Sequence, residues 1–159
     1  MPSQLQIYLR QHEAAGRSGY DLARRAATGQ RRRPWAAELR QLADEDREDL
    51  DTLQALMRRL EVPPDPLLGT ALRVGERLGR LKPNGHLLTR APLSDVVELE
   101  GLLGAVTLKA AGWRALDAAE VVAPGTGPDL PALAARADDQ LARLRAIHRT
   151  ATADALRSF

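Results

Sequence analysis

One long stretch, Pro34 to Val62, constrains the fold of this chain more than any other. Its inward positions follow the three-and-four spacing of an amphipathic helix. These positions are Leu39, Leu42, Asp46, Asp49, Leu53, Leu56 and Leu60. At about 1.5 Å per residue such a helix is roughly 40 Å long, which is too long to stand alone. The stretch therefore predicts the central helix of a bundle, with two aspartates on its apolar face.

The composition favours the packing of helices against helices. Hydrophobic residues make up 44% of the 159 residues, but aromatic residues make up only 3%. A core built from Leu, Ala and Val suits close helix packing better than it suits a β-sandwich. The length predicts a single domain over residues 1–159, and the fold class predicted for it is all-α.

Charge and cysteine content exclude several classes of function. The 23 basic and 21 acidic side chains nearly cancel, so we expect no nucleic-acid partner. Cysteine is absent, which excludes disulfides, thiolate metal sites and thiol chemistry. The longest uncharged stretch, Met1 to Leu9, is far too short to span a membrane, and no targeting segment is visible. We therefore expect a cytoplasmic protein that makes no membrane contact.

Capping signals and hydrophobic periodicity predict four long helices and one short one. Ser3 with Gln6 forms a capping box at the first helix, and Asp95 with Glu98 forms one at the third long helix. Asp129 caps the last. The predicted helices are Ser3–Thr28, Pro34–Val62, the short Leu67–Lys82, Asp95–Val122 and Asp129–Arg157.

The lengths of the connections predict the topology. The first and second helices are joined by the basic turn Gln30–Arg33, which is predicted to be solvated, and the last two by a loop of similar length. Short connections join antiparallel neighbours, whereas a parallel pair needs a connection that spans the bundle. The segment from Pro63 to Ser94 is long enough to do so. The sequence therefore predicts two antiparallel hairpins, with the second and third long helices parallel and joined by a long crossover.

This arrangement resembles the ferritin-like four-helix bundle over nearly the whole chain. The resemblance implies a carboxylate-bridged pair of metal ions, held by a Glu on each of two helices and a Glu-x-x-His pair on each of the other two. The second helix carries Glu45-Asp46-Arg47-Glu48 instead, with a carboxylate where histidine is expected. The last helix carries Asp138 and Asp139 without a histidine three residues on. The paired metal motifs of the family are therefore missing from this chain.

Helix register predicts an inner polar layer at the level of the two aspartates. Pairing the helices about their turns brings His12, Asp46, Asp49 and Lys109 to one level, with Arg143 near it. A buried ionic network among these groups balances its own charges, because buried charge must be paired. An alternative is a degenerate iron or manganese site. Its candidate ligands would be His12, Glu13, Glu45, Asp46, Asp49 and Glu98.

The sequence contains no nucleophile-base constellation, phosphate-binding loop or helix-turn-helix. We therefore expect a non-catalytic bundle, with no cofactor, that acts through homo-oligomer or other protein contacts. The alternative function is a carboxylate-bridged oxidase or a metal-storage protein with an atypical ligand set. A third interpretation, nucleic-acid binding through arginine, has only the small basic excess behind it.

Overall fold

The computed structural model describes residues 1–65 and 91–157. Within these ranges the protein contains four α-helices and no strand, which confirms the predicted all-α fold class. The helices are α1 (Gln4–Gly29), α2 (Ala36–Arg59), α3 (Pro92–Ala118) and α4 (Leu130–Leu156). The predicted short helix Leu67–Lys82 lies outside the described residues. None of the four helices is long and apolar enough to cross a membrane.

The helix starts follow the predicted caps at α1 and α4. Ser3 and Gln6 form the predicted capping box, in which the Gln6 amide donates to Ser3 Oγ and the Ser3 amide donates to Gln6 Oε1. Asp129 Oδ1 accepts a hydrogen bond from the amide of Ala132, which confirms it as the cap of α4.

The starts of α2 and α3 differ from the prediction. α2 begins at Ala36 and not at Pro34, because the basic turn continues to that point and the Ala36 amide donates to the carbonyl of Arg33. α3 begins at Pro92, a residue whose fixed φ suits the first helical position. Asp95 is therefore not a cap. It lies in the first turn of α3 and is buried.

α2 ends three residues earlier than predicted, and α3 ends four residues earlier. Both end early for the same reason. Each ends in a Schellman motif whose left-handed residue is a glutamate, Glu61 with φ 54° and Glu120 with φ 49°. The valine that follows each glutamate donates its amide back to the helix, Val62 to Met57 and Val121 to Leu116. Both valines then pack against the core, which stabilises the reversal.

Contacts between paired positions show the direction of each helix. Between α1 and α2 these pairs are Glu13 with Gln54, Gly16 with Leu50 and Gln30 with Trp35. Between α1 and α3 they are His12 with Gly112, Gly19 with Ala105 and Leu22 with Gly101. Both sets run in opposite directions along the two helices, so α2 and α3 are each antiparallel to α1 and parallel to each other.

α4 completes the bundle by packing against α3 and α2. Its contacting pairs with α3 are Arg114 with Asp138 and Glu100 with His148. Its pairs with α2 are Glu48 with Arg136 and Glu38 with Arg143. α4 is therefore antiparallel to both neighbours.

The apolar core is divided into two clusters along the bundle axis. One cluster lies at the end where α1 finishes and α3 starts, and it includes Leu39, Leu99 and Leu144. The other lies at the opposite end, around Leu9 and Trp113. The polar residues that the sequence places at the level of Asp46 and Asp49 lie between these two clusters.

Candidate functional site

Lys109 of α3 joins the two aspartates of α2. Its Nζ donates to Asp46 Oδ1 at 2.5 Å and to Asp49 Oδ2 at 2.6 Å. The side chain of Asp49 is only 2% exposed, whereas those of Asp46 and Lys109 are 12% and 17% exposed. The inward positions predicted for the two aspartates bring them within reach of one ammonium group, and the pairing offsets part of their desolvation cost.

α4 contributes a second set of partners to the same level. Gln140 Nε2 donates to Glu45 Oε2 at 3.0 Å and to Asp49 Oδ2 at 3.4 Å. Arg143 also donates to Glu45, and Arg136 Nε lies 3.6 Å from Asp49 Oδ1. We call the whole set the ionic layer. Its members are Glu45, Asp46, Asp49, Lys109, Arg136, Gln140 and Arg143.

The three carboxylates and three cations of the ionic layer balance one another. Burial raises the pKa of the Asp46 carboxyl, and the attraction of Lys109 opposes that rise only in part. At Glu45, desolvation acts in the same upward direction, but hydrogen bonds from Arg143, Gln140 and Gln41 outweigh it and lower the pKa. The layer therefore holds Glu45 in its charged form more firmly than it holds Asp46.

His12 reaches the level of the ionic layer without joining it. Its ring packs against Gly112, where a Cβ would lie 2.7 Å from His12 Nδ1, and its centroid is 4.3 Å from that of Tyr8. Among the described residues, no hydrogen bond or ion pair links His12 to the aspartates or to Lys109. His12, Asp46, Asp49, Lys109 and Trp113 line a shared cavity of about 60 Å³. His12 is therefore a neighbour of the network, and it contributes no bond to it.

The burial of His12 predicts a loss of stability in mild acid. Desolvation lowers the pKa of His12 below its ordinary value of 6.5, so the unfolded chain binds this proton more readily than the folded chain. His12 does not reduce the free energy of unfolding above about pH 6.5. Below that, the free energy of unfolding decreases as the pH falls towards the lowered pKa of the folded state. In chemical denaturation between about pH 7.5 and 5.5, the free energy of unfolding of wild type should fall relative to that of His12→Phe. A difference that does not change with pH would contradict this assignment.

The alternative metal ligands are dispersed. Glu13 is buried on the α1–α2 side, where Gln54 Nε2 donates to it at 3.0 Å and Arg17 also pairs with it. Glu98 accepts a hydrogen bond from Gln30 at 3.2 Å. About 16 Å of helix separates Glu98 from Lys109 along α3. In residues 1–65 and 91–157, no three His, Asp or Glu side chains form a group that could hold a metal ion.

Sequence reasoning missed Arg136 and Gln140. Both lie beside the apolar stripe of α4, at positions four residues apart, with Arg143 three residues further on. This spacing places all three on one face of a helix. The acidic residues Glu38 and Glu45 of α2 share a face in the same way. The two complementary stripes were a signal that α2 and α4 are neighbours.

A second buried polar cluster lies at one end of the bundle, and sequence periodicity does not predict it. Trp35 Nε1 donates to Gln30 Oε1 at 2.7 Å, and Gln30 Nε2 donates to Glu98 at 3.2 Å. Arg33 Nη2 lies 2.6 Å from Asp95 Oδ2. The basic turn predicted to be solvated is thus attached to the start of α3 through buried Gln30 and Asp95.

Comparison with protein-family models, with curated proteins and with solved structures finds no match for this chain.

Proposed function

We propose that the protein is a non-catalytic, ferritin-like helical bundle of the cytoplasm that acts through self-association. The order and directions of the four helices support the ferritin-like assignment. The balanced ionic layer supports a structural role for the polar residues, because its carboxylates are already engaged by Lys109 and by cations of α4.

The observation that carries the proposal is the outer face of α3. Leu93, Val97 and Leu108 are 45%, 51% and 46% exposed, and their spacing places them on one side of the helix. No charge projects outward from α3 between Gly101 and Trp113, since Lys109 turns inward to the aspartates. An outer face that is largely apolar, with the exposed Glu100 at its edge, is typical of a contact surface.

The outer face of α3 contrasts with that of α2. α2 carries eleven charged residues in 24, whereas α3 carries six in 27. The exposed positions of α2 include Arg40, Asp44, Arg47 and Asp51, which keep its outer face in water. We therefore place the association surface on α3.

The test is a single charge on this face. Val97→Glu should shift the protein from an associated form to a monomer in sedimentation equilibrium, because burying an unpaired carboxylate at a contact is unfavourable. Val97 is half-exposed in the bundle, so the variant should keep its helical circular dichroism. Gln11→Glu adds the same charge at an exposed position of α1 and should leave the association unchanged. A wild type that is monomeric at every concentration would contradict the proposal.

Metal content separates this proposal from the alternative of an iron- or manganese-dependent oxidase or storage protein. We expect the purified protein to contain less than one equivalent of iron, manganese or zinc, because the ammonium of Lys109 lies between the two aspartates and repels a cation. Elemental analysis of wild type and Asp46→Ala is the measurement. Two metal atoms per chain that are lost together in Asp46→Ala would support the alternative.

A further inference from the structure

The cavity beside the ionic layer is formed by α1, α2 and α3 and has a volume of about 60 Å³. Small residues in its wall leave this space open. Ala15, Gly16 and Gly19 of α1 and Ala105 of α3 line it, and none of them has a side chain long enough to fill the gap. At about 30 Å³ for each molecule of liquid water, the enclosed space fits a group of two or three heavy atoms. The cavity is partly open to solvent, so a larger molecule fits if the rest of it lies at the mouth.

Aromatic side chains are concentrated in the wall of this cavity. The chain contains two tryptophans, two tyrosines and one phenylalanine, and three of these five residues line the cavity, namely Tyr8, Tyr20 and Trp113. Aliphatic side chains complete the apolar part of the wall, and they include Leu9, Leu50, Leu53 and Val106. Ligand sites in proteins are typically lined in this way, with a few polar groups that fix the orientation of the ligand. The wall therefore suits the apolar surface of a small molecule.

One polar group of the wall has no partner. Trp113 is 3% exposed, and its Nε1 makes no hydrogen bond within the part of the chain that the structure describes. The other tryptophan, Trp35, donates its Nε1–H to Gln30 Oε1 at 2.7 Å. An indole N–H can only donate, and a buried donor without an acceptor is unfavourable. A ligand that brings an acceptor oxygen to Trp113 would remove this cost.

The charged groups of the wall favour a ligand without charge. Asp46, Asp49 and Lys109 line the cavity, and Lys109 Nζ already donates to both carboxylates. A cationic ligand would meet the ammonium group, and an anionic ligand would meet the two carboxylates, at a site largely shielded from water. We infer that the cavity binds a neutral, mainly apolar small molecule whose carbonyl oxygen accepts a hydrogen bond from Trp113 Nε1. This binding does not require self-association.

Nuclear magnetic resonance of the indole N–H groups tests the inference. The protein labelled with ¹⁵N gives one indole signal for each of its two tryptophans, and Trp113→Phe assigns them. Cyclopentanone is the probe. It should shift the Trp113 signal to lower field and saturate with a dissociation constant on the order of 1 mM, as expected for so small a ligand. The Trp35 signal is the internal control and should not move, because its N–H is already bonded to Gln30.

Three compounds with the same five-membered ring test the chemistry of the ligand. Cyclopentylamine, which is protonated at neutral pH, and cyclopentanecarboxylate should each bind at least about tenfold more weakly than cyclopentanone, because each carries a charge. Methylcyclopentane has no acceptor and should not move the Trp113 signal to lower field. Equal binding of the charged and neutral compounds would overturn the inferred ligand class.

Two alanine-to-leucine variants of α3 test the location of the site. Ala105→Leu places a side chain in the cavity and should weaken the binding of cyclopentanone by about tenfold or more. Ala111 is exposed and lies outside the cavity wall, so Ala111→Leu is the matched control and should bind as wild type does. Circular dichroism shows whether both variants fold. If Ala105→Leu does not, the comparison of ligands in wild type decides the question.

Two results would overturn the inference in wild type. One is a Trp113 signal that shows no saturable shift with cyclopentanone up to about 50 mM, since a site for this ligand class would be filled at that concentration. The other is an equal shift of both indole signals, which would show an effect of the solvent and no bound ligand.

Discussion

Replacing Lys109 with Met should lower the free energy of unfolding by about 3 kcal/mol, within the usual cost of removing one partner from a buried ion pair. Lys109 Nζ is bonded to both Asp46 and Asp49, and its loss leaves two carboxylates near each other in the interior. Asp49 keeps Arg136 and Gln140 as neighbours, so most of the cost should fall on Asp46. Such a change is a large fraction of the total stability of a domain.

Combined variants distinguish a buried network from a solvated one. Asp46→Leu, Asp49→Leu and Lys109→Met together should cost much less than the sum of the single changes, because the desolvation penalty disappears with the charges. Urea denaturation of the single and combined variants measures the coupling. Single losses below about 1 kcal/mol that simply add would show that the layer is solvated.

The exposed ion pair of Arg114 and Asp138 is the matched control, because Arg114 lies on α3, as Lys109 does. Its side chains are 54% and 52% exposed. Arg114→Met should cost at most about 1 kcal/mol, because surface ion pairs contribute little. A similar loss at Arg114 and Lys109 would show that burial does not decide the effect.

The second large effect is expected at Gln30. Gln30→Ala should lower the free energy of unfolding by about 3 kcal/mol, the sum of an unsatisfied buried donor and a small cavity. The side chain is 1% exposed and accepts the only hydrogen bond that the structure shows for Trp35 Nε1 within the described residues. It also reaches Glu98 and the carbonyl of Asp95 on α3. Its removal therefore loosens the attachment of the α1–α2 turn to α3.

Arg32→Ala in the same turn is the control for Gln30→Ala. Arg32 is exposed, so its removal should change stability by less than about 0.5 kcal/mol. Thermal or urea denaturation of the two variants beside wild type is the measurement. Equal effects at both positions would mean that the turn is solvated as a whole, as the sequence alone predicted.

Local sequence patterns are enough to locate the four long helices, to within a few residues at their ends, and the faces that they bury. The repeated leucines of α2 predicted its inward face, and Asp46 falls on that face in either register. Ser3 and Asp129 marked the starts of α1 and α4 through local hydrogen bonds. These features depend on residues within one or two helical turns, so a single chain segment contains the information.

Which polar groups meet depends on how the helices pack against one another. Sequence register placed His12 in the ionic layer, but its ring lies over Gly112 and makes no bond to the layer among the described residues. Arg136 and Gln140 reach the layer instead, from α4. Arg33 and Asp95 form an ion pair although 62 residues separate them in the chain. Periodicity shows that a residue faces inward, but the rotation and spacing of the neighbouring helices decide which group it meets, since long side chains can reach any of several partners.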